Sequence, residues 1–96
     1  MNLDLTDEET AIIELRLDLA ESLRALRRRS GLSQHDLARQ LGSSQSRVAK
    51  MEAGDASVSL ELLLRALLRL GATRRELGRV VGRAGNRLLA DPTARR

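Results

Sequence analysis

The chain has 96 residues, of which 42% are apolar, none is aromatic and none is cysteine; that length holds one core and not two. Without cysteine there are no disulfide staples, no thiol chemistry and no cysteine-ligated zinc, and without Phe, Tyr or Trp there are no platforms on which single-stranded bases stack. The net charge of +4 hides an asymmetry: residues 1–23 carry seven acids against one base and residues 24–96 carry sixteen bases against six acids, so the two parts face different partners and the basic body favours a polyanion.

Hydrophobic spacing predicts helices throughout. Thr6-Asp7-Glu8-Glu9 has the spacing of a capping box. Ile12, Leu15, Leu19, Leu23 and Leu26 follow at three- and four-residue steps, giving a first helix from about residue 7 to Arg29, stopped by Ser30-Gly31. Leu15, Leu17 and Leu19 also alternate as in a strand, with no second strand to pair with. Ser33 caps a second helix from Gln34 to Leu41, with Leu37, Ala38 and Leu41 inward and Gly42 at its end. Ser44 caps a third, in which Val48 and Met51 share one face and Gly54 ends the helix. Ser57 or Ser59 opens a very apolar fourth helix to Leu70, with Gly71 behind it. Thr73-Arg74-Arg75-Glu76 is a second capping box, opening a fifth helix through Leu77, Val80 and Val81. Gly78, Gly82 and Gly85 each cost about 1 kcal/mol against Ala and leave the far end of that helix open. DPTARR, residues 91–96, reads as a frayed tail, and no repeat or linker divides the chain.

The stretch LSQHDLARQLGSSQSRVAKMEAG, residues 32–54, resembles the helix-turn-helix of the phage repressor and Cro type, the XRE family. Gln34 opens the first helix of the pair, small Ala38 lets the two approach, Gly42 makes the turn, and Val48 and Met51 seal the second. Leu32, which opens the stretch, and Leu70-Gly71 after it fit the same layout. Ser43 departs from it, standing where many members place an apolar residue. The resemblance implies an all-α, five-helix bundle of the lambda-repressor-like DNA-binding type with an extended first helix. Residues 1–18 are then an acidic N-terminal extension, residues 19–81 the DNA-binding domain, and residues 82–96 the end of the last helix and the tail.

That resemblance also implies roles for residues. Ser44, Gln45, Ser46 and Lys50 match positions that reach base edges, and Lys50 is the one lysine in the chain. The chemistry suits them, because the major groove admits a helix and its edges offer the donors and acceptors that Gln reads at adenine and Lys or Arg at guanine. Gln34, Ser43 and Arg47 match phosphate contacts, with Arg47 an alternative base reader; Arg24, Arg28 and Arg39 are peripheral phosphate candidates. Arg27 and Glu52 match a partly buried ion pair between the first helix and the end of the recognition helix. On the residues alone, a serine-rich helix start is equally an N-cap, and Arg27-Arg28-Arg29 equally a solvated helix end favoured by the dipole.

The extension adds about three turns, roughly 18 Å, to the first helix. Ile13, Leu17 and Ala20 form a stripe about 125° from the Ile12-Leu15-Leu19 stripe, too far for both to reach one core, so they are candidates for a partner or dimer face, with packing on the fifth helix of the same chain as the alternative. The expected partners are a palindromic duplex DNA operator, a second copy of the chain and, by resemblance to bacterial antitoxins that repress their own operons, a cognate toxin. A protein-interaction module that keeps the helix-turn-helix shape is the competing reading. No apolar run approaches the roughly 18–20 residues of a membrane span and the acidic start is unlike a signal peptide, so a cytoplasmic, nucleoid-associated protein without a membrane partner is expected. His35 has no metal-spaced neighbours, leaving a surface or phosphate-contact role, and no cluster of His, Cys or paired carboxylates suggests an enzyme, a metal or a cofactor.

Overall fold

The computed structural model describes residues 6–89; residues 1–5 and 90–96, including the DPTARR tail, lie outside the described residues. The regular elements are five helices: α1 (Asp7–Arg29), α2 (Gln34–Leu41), α3 (Gln45–Glu52), α4 (Leu60–Arg69) and α5 (Arg74–Leu89). The fold is all-α, as the spacing predicts.

Capping sets these boundaries. The Thr6 hydroxyl accepts from the Glu9 amide at 3.0 Å while the Glu9 carboxylate accepts from the Thr6 amide at 2.9 Å, and Thr73 and Glu76 repeat this at α5, at 3.0 and 2.8 Å. A third box, unremarked in the sequence, joins Ser33 and Asp36 at α2; Asp replaces the usual Glu there. Ser59, not Ser57, caps α4 by accepting from the Leu62 amide. The Ser57 amide instead donates to Asp55 Oδ1 at 2.8 Å in the loop before it. α5 continues through Gly78, Gly82 and Gly85 to Leu89.

The core is aliphatic. Leu19 and Leu23 of α1, Leu37 and Ala38 of α2, Val48 and Met51 of α3, Val58 of the following loop, and Leu63, Ala66 and Leu67 of α4 are buried against one another. Each such leucine contributes about 1.5–3 kcal/mol by leaving water. Helices as short as α2 and α3 are not stable alone, so this shared core holds them in place. α5 covers α1 more extensively than any other element does, with Leu77 and Val80 packed at the edge of the core. Its first-turn Glu76 lies near Arg29 in the last turn of α1, so α5 starts at the end of α1 and runs back along it.

Two residues of α1 stand differently from the sequence reading. Ile12, expected inward, is 47% exposed, because the first turns of α1 reach past the body; burial begins at Leu19. Ala20, assigned with Ile13 and Leu17 to a partner or dimer face, is 2% exposed. By that point α3, α4 and α5 all pack on α1, so opposite sides of the helix are covered and only Ile13 and Leu17 remain at the surface. Leu17 is not wholly free either. The Gly54 backbone, at φ +71°, passes so near it that a Cβ there would lie 2.7 Å from Leu17 Cδ2, and neighbouring Arg16 donates through Nη1 to the Val58 carbonyl. The extension therefore leans on the α3–α4 connection.

Gly54→Ala and Gly42→Ala separate contact from backbone strain. Gly42 is also left-handed, at φ +65°, but a Cβ there meets nothing within 4 Å, so its substitution should cost only the strain, about 1 kcal/mol. Gly54→Ala should cost more, and the excess should vanish in a Leu17→Ala background when urea unfolding closes the cycle. Equal costs for Gly54→Ala in both backgrounds would mean that the extension does not bear on this turn.

Candidate nucleic-acid interface

The local folding of α2 and α3 dictates which side chains face outward. At Gly42 the chain turns left-handed and the Ser43 amide bonds back to the Ala38 carbonyl at 2.8 Å, satisfying the end of α2. The Ser44 hydroxyl then accepts from the Arg47 amide at 3.1 Å and starts α3. From there Val48, Met51 and Glu52 turn inward and are buried, whereas Gln45, Ser46, Arg47 and Lys50 are exposed. Ser46 and Lys50, four residues apart, share one outward face. Ser44 is exposed too, with its oxygen engaged by the cap and its hydroxyl proton free to donate. Ser43 is half-buried in the turn, and Arg24, Arg28 and Arg39 are exposed.

Behind this face lies a polar cluster that fixes α3 to the rest of the fold. Arg27 Nε donates to Glu52 Oε2 at 2.5 Å and Nη2 to Oε1 at 2.9 Å, while Nη1 donates to the Leu32 carbonyl at 2.8 Å. Both residues are buried, at 8% and 5% exposure, and no buried side-chain polar atom among the described residues lacks a partner. Gln34 joins them: its Nε2 donates to Glu52 Oε1 at 3.2 Å. That bond was not legible in the sequence, where Gln34 reads only as a phosphate contact; the structure places its amide nitrogen on a carboxylate and leaves the half-buried residue's carbonyl oxygen unassigned. Burial alone would raise the Glu52 carboxyl, but the bonds from Arg27 and Gln34 and the charges of Arg27 and Arg24 outweigh it and hold the group below the usual carboxylate range. The bond from Glu52 likewise raises Arg27 against the desolvation that would lower it.

Two further contacts are not read from the sequence, the first of them because it joins distant segments. Arg69, ending α4, donates through Nη1 to the Gln40 carbonyl in the last turn of α2 at 2.7 Å. Asp55, just past α3, is held low by hydrogen bonds from Ser57 and by the charges of Lys50 and Arg16, so the Lys50 ammonium has a carboxylate neighbour. His35 is exposed on α2. Among the described residues no group of three or more His, Cys, Asp or Glu could hold a metal ion, and no helix is long and apolar enough to cross a membrane.

A short helix anchored by Val48, Met51 and Glu52, entered through a glycine turn from a helix of equal length, is a bihelical unit with one polar face outward. The sequence profile of the helix-turn-helix domain matches residues 18–80, about two thirds of the chain. The chain belongs to this helix-turn-helix domain family. It is thus a DNA-binding type of domain, and in helix-turn-helix domains generally the second helix of the pair is the element that enters the groove. The match takes in α1 from Asp18 and the first half of α5 and leaves the first turns of α1 outside. No curated protein and no solved structure gives a significant match.

Removing Glu52 should be severe. Glu52→Ala leaves the Arg27 charge buried and should cost about 3–5 kcal/mol, whereas Arg27→Met with Glu52→Leu, which removes both charges, should cost much less. Because the folded Glu52 is held below its unfolded value, its stabilisation is present above the pKa of a free Glu, about 4.3, and is lost as pH falls through the folded value. Urea midpoints between pH 7 and pH 3 should therefore fall more steeply for the parent than for Glu52→Gln.

Proposed function

We propose that the protein is a sequence-specific regulator of transcription, a repressor, that reads duplex DNA with α3 and binds a palindromic operator as a homodimer. The observation that supports this reading best is the one-sided anchoring of α3, with Gln45, Ser46 and Lys50 exposed away from the buried Val48, Met51 and Glu52. Ser44, Gln45, Ser46 and Lys50 read base edges; Gln34, Ser43 and Arg47 contact phosphates, with Arg24, Arg28 and Arg39 at the periphery. A single domain of this size covers too little DNA for specific affinity, and two copies with recognition helices about 34 Å apart match one turn of the duplex.

The finer reading is an antitoxin that represses its own operon and neutralises a toxin. Asp7, Glu8 and Glu9 in the first turn of α1 and the exposed Ile13 and Leu17 support a protein partner of basic charge at that end. The same two side chains also suit a dimer seam, and removal of residues 1–11 distinguishes the uses. Affinity for an operator selected from random duplexes that stays within about twofold assigns this end to a protein partner. Loss of operator binding together with monomeric sedimentation assigns it to the dimer.

Base readers and phosphate anchors should respond differently to substitution. Gln45→Ala or Lys50→Ala should each cost about 1–3 kcal/mol on the selected operator and relax preference at one or two base positions, with little effect on random duplex. Gln34→Ala and Arg47→Ala should weaken all duplexes alike, and Arg47→Ala should also lower the salt slope by about one unit per subunit. Titrations on operator and scrambled duplex at three salt concentrations make the comparison. An unchanged operator-to-scrambled ratio for Gln45→Ala and Lys50→Ala would remove α3 as the reader and favour the interaction-module alternative.

A further inference from the structure

A cleft of about 240 Å3 opens between the second half of α1 and the first turns of α5, outside α2 and α3. Its floor is apolar, with Leu67 buried beneath it and Leu26, Leu77 and Val80 only partly covered. Its rim is cationic: Arg29 from α1 faces Arg79 and Arg83 of α5. Arg79 and Arg83 are four residues apart on one helix face, where like charges repel. None of the three forms an ion pair with another described residue. Glu76 also lines the cleft, its carboxylate capping α5 at the Thr73 amide (2.8 Å) and lying near Arg29 and Arg79, so the rim carries one acid against three arginines.

We infer that this cleft is a binding site for a small amphipathic anion, an aliphatic carboxylate whose chain covers the apolar floor while its head group engages Arg29, Arg79 and Arg83. Both halves of the ligand are required by the lining. A bare anion would leave the floor wet, and a neutral apolar molecule would leave the net positive charge of the rim without a counterion. The volume of about 240 Å3 suits a molecule smaller than the usual drug-sized ligand. The inference stands apart from the DNA-binding reading, since it shares no residue with the base-reading or phosphate-contact set, although Arg24 and Arg28 of that set lie on α1 too.

The test is a titration of the full chain with sodium octanoate, followed by amide NMR shifts and calorimetry. Octanoate should bind saturably and shift residues 22–29 and 76–83, while octan-1-ol and inorganic phosphate should each bind about tenfold or more weakly. The double variant Arg79→Gln/Arg83→Gln, at two exposed positions, should weaken octanoate by about tenfold with an unchanged circular dichroism spectrum. Its affinity for random duplex DNA should match the parent's. Shifts confined to the first turns of α1, phosphate binding as tight as octanoate, or undiminished octanoate binding in the variant would each overturn the assignment. So would a loss of duplex affinity with a shallower salt dependence, which would give these arginines to DNA phosphates instead.

Discussion

The bond between Arg27 and Glu52 is the constraint on which the arrangement of this molecule turns. One guanidinium holds the carboxylate at the end of α3 and the Leu32 carbonyl before α2, and Gln34 at the start of α2 reaches the same carboxylate. Three helices and a turn therefore meet at one buried group. A pair of this kind adds little net stability over apolar residues of similar volume. What it adds is direction: the fork of the guanidinium donates to the carboxylate in few geometries, so α3 has few ways to sit against α1.

That restriction matters because α2 and α3 are short and the core has no aromatic side chain. A leucine-rich interior fills space without specifying a single register as strongly as large rigid rings would. Val48 and Met51 press α3 inward, and the Glu52 bond fixes its rotation about its own axis, which presents Ser46 and Lys50 outward. The exposed polar face of α3 is thus a consequence of this packing arrangement.

The long first helix serves two neighbourhoods. Its second half carries Leu19, Leu23 and Arg27 into the core and against α3, and α5 runs back along it. Its first half leans on the α3–α4 connection through Arg16 and Leu17 and leaves Ile12 and Ile13 in solvent. The middle of α1 is consequently tied to the loop that follows α3, where Asp55 sits near both Arg16 and Lys50.

Much of this was legible in the residues themselves. Capping boxes and glycine stops are local chemistry, involving groups three to five residues apart, so Thr6-x-x-Glu9, Gly42 and Thr73-x-x-Glu76 placed the helix ends without any knowledge of the fold. The polar side of α3 was legible for the same reason, through the spacing of Val48 and Met51. The resemblance supplied Arg27 and Glu52 as a pair, which spacing alone could not, because 25 residues separate them. Tertiary structure decided the rest. Whether Ile12 or Ala20 is covered depends on how far the other helices reach along α1, and periodicity gives the angle of a side chain but not the length of the body beside it. Gln34 on Glu52, Arg69 on the Gln40 carbonyl and the arginine-rimmed cleft are likewise meetings of segments distant in sequence, settled only when the helices pack.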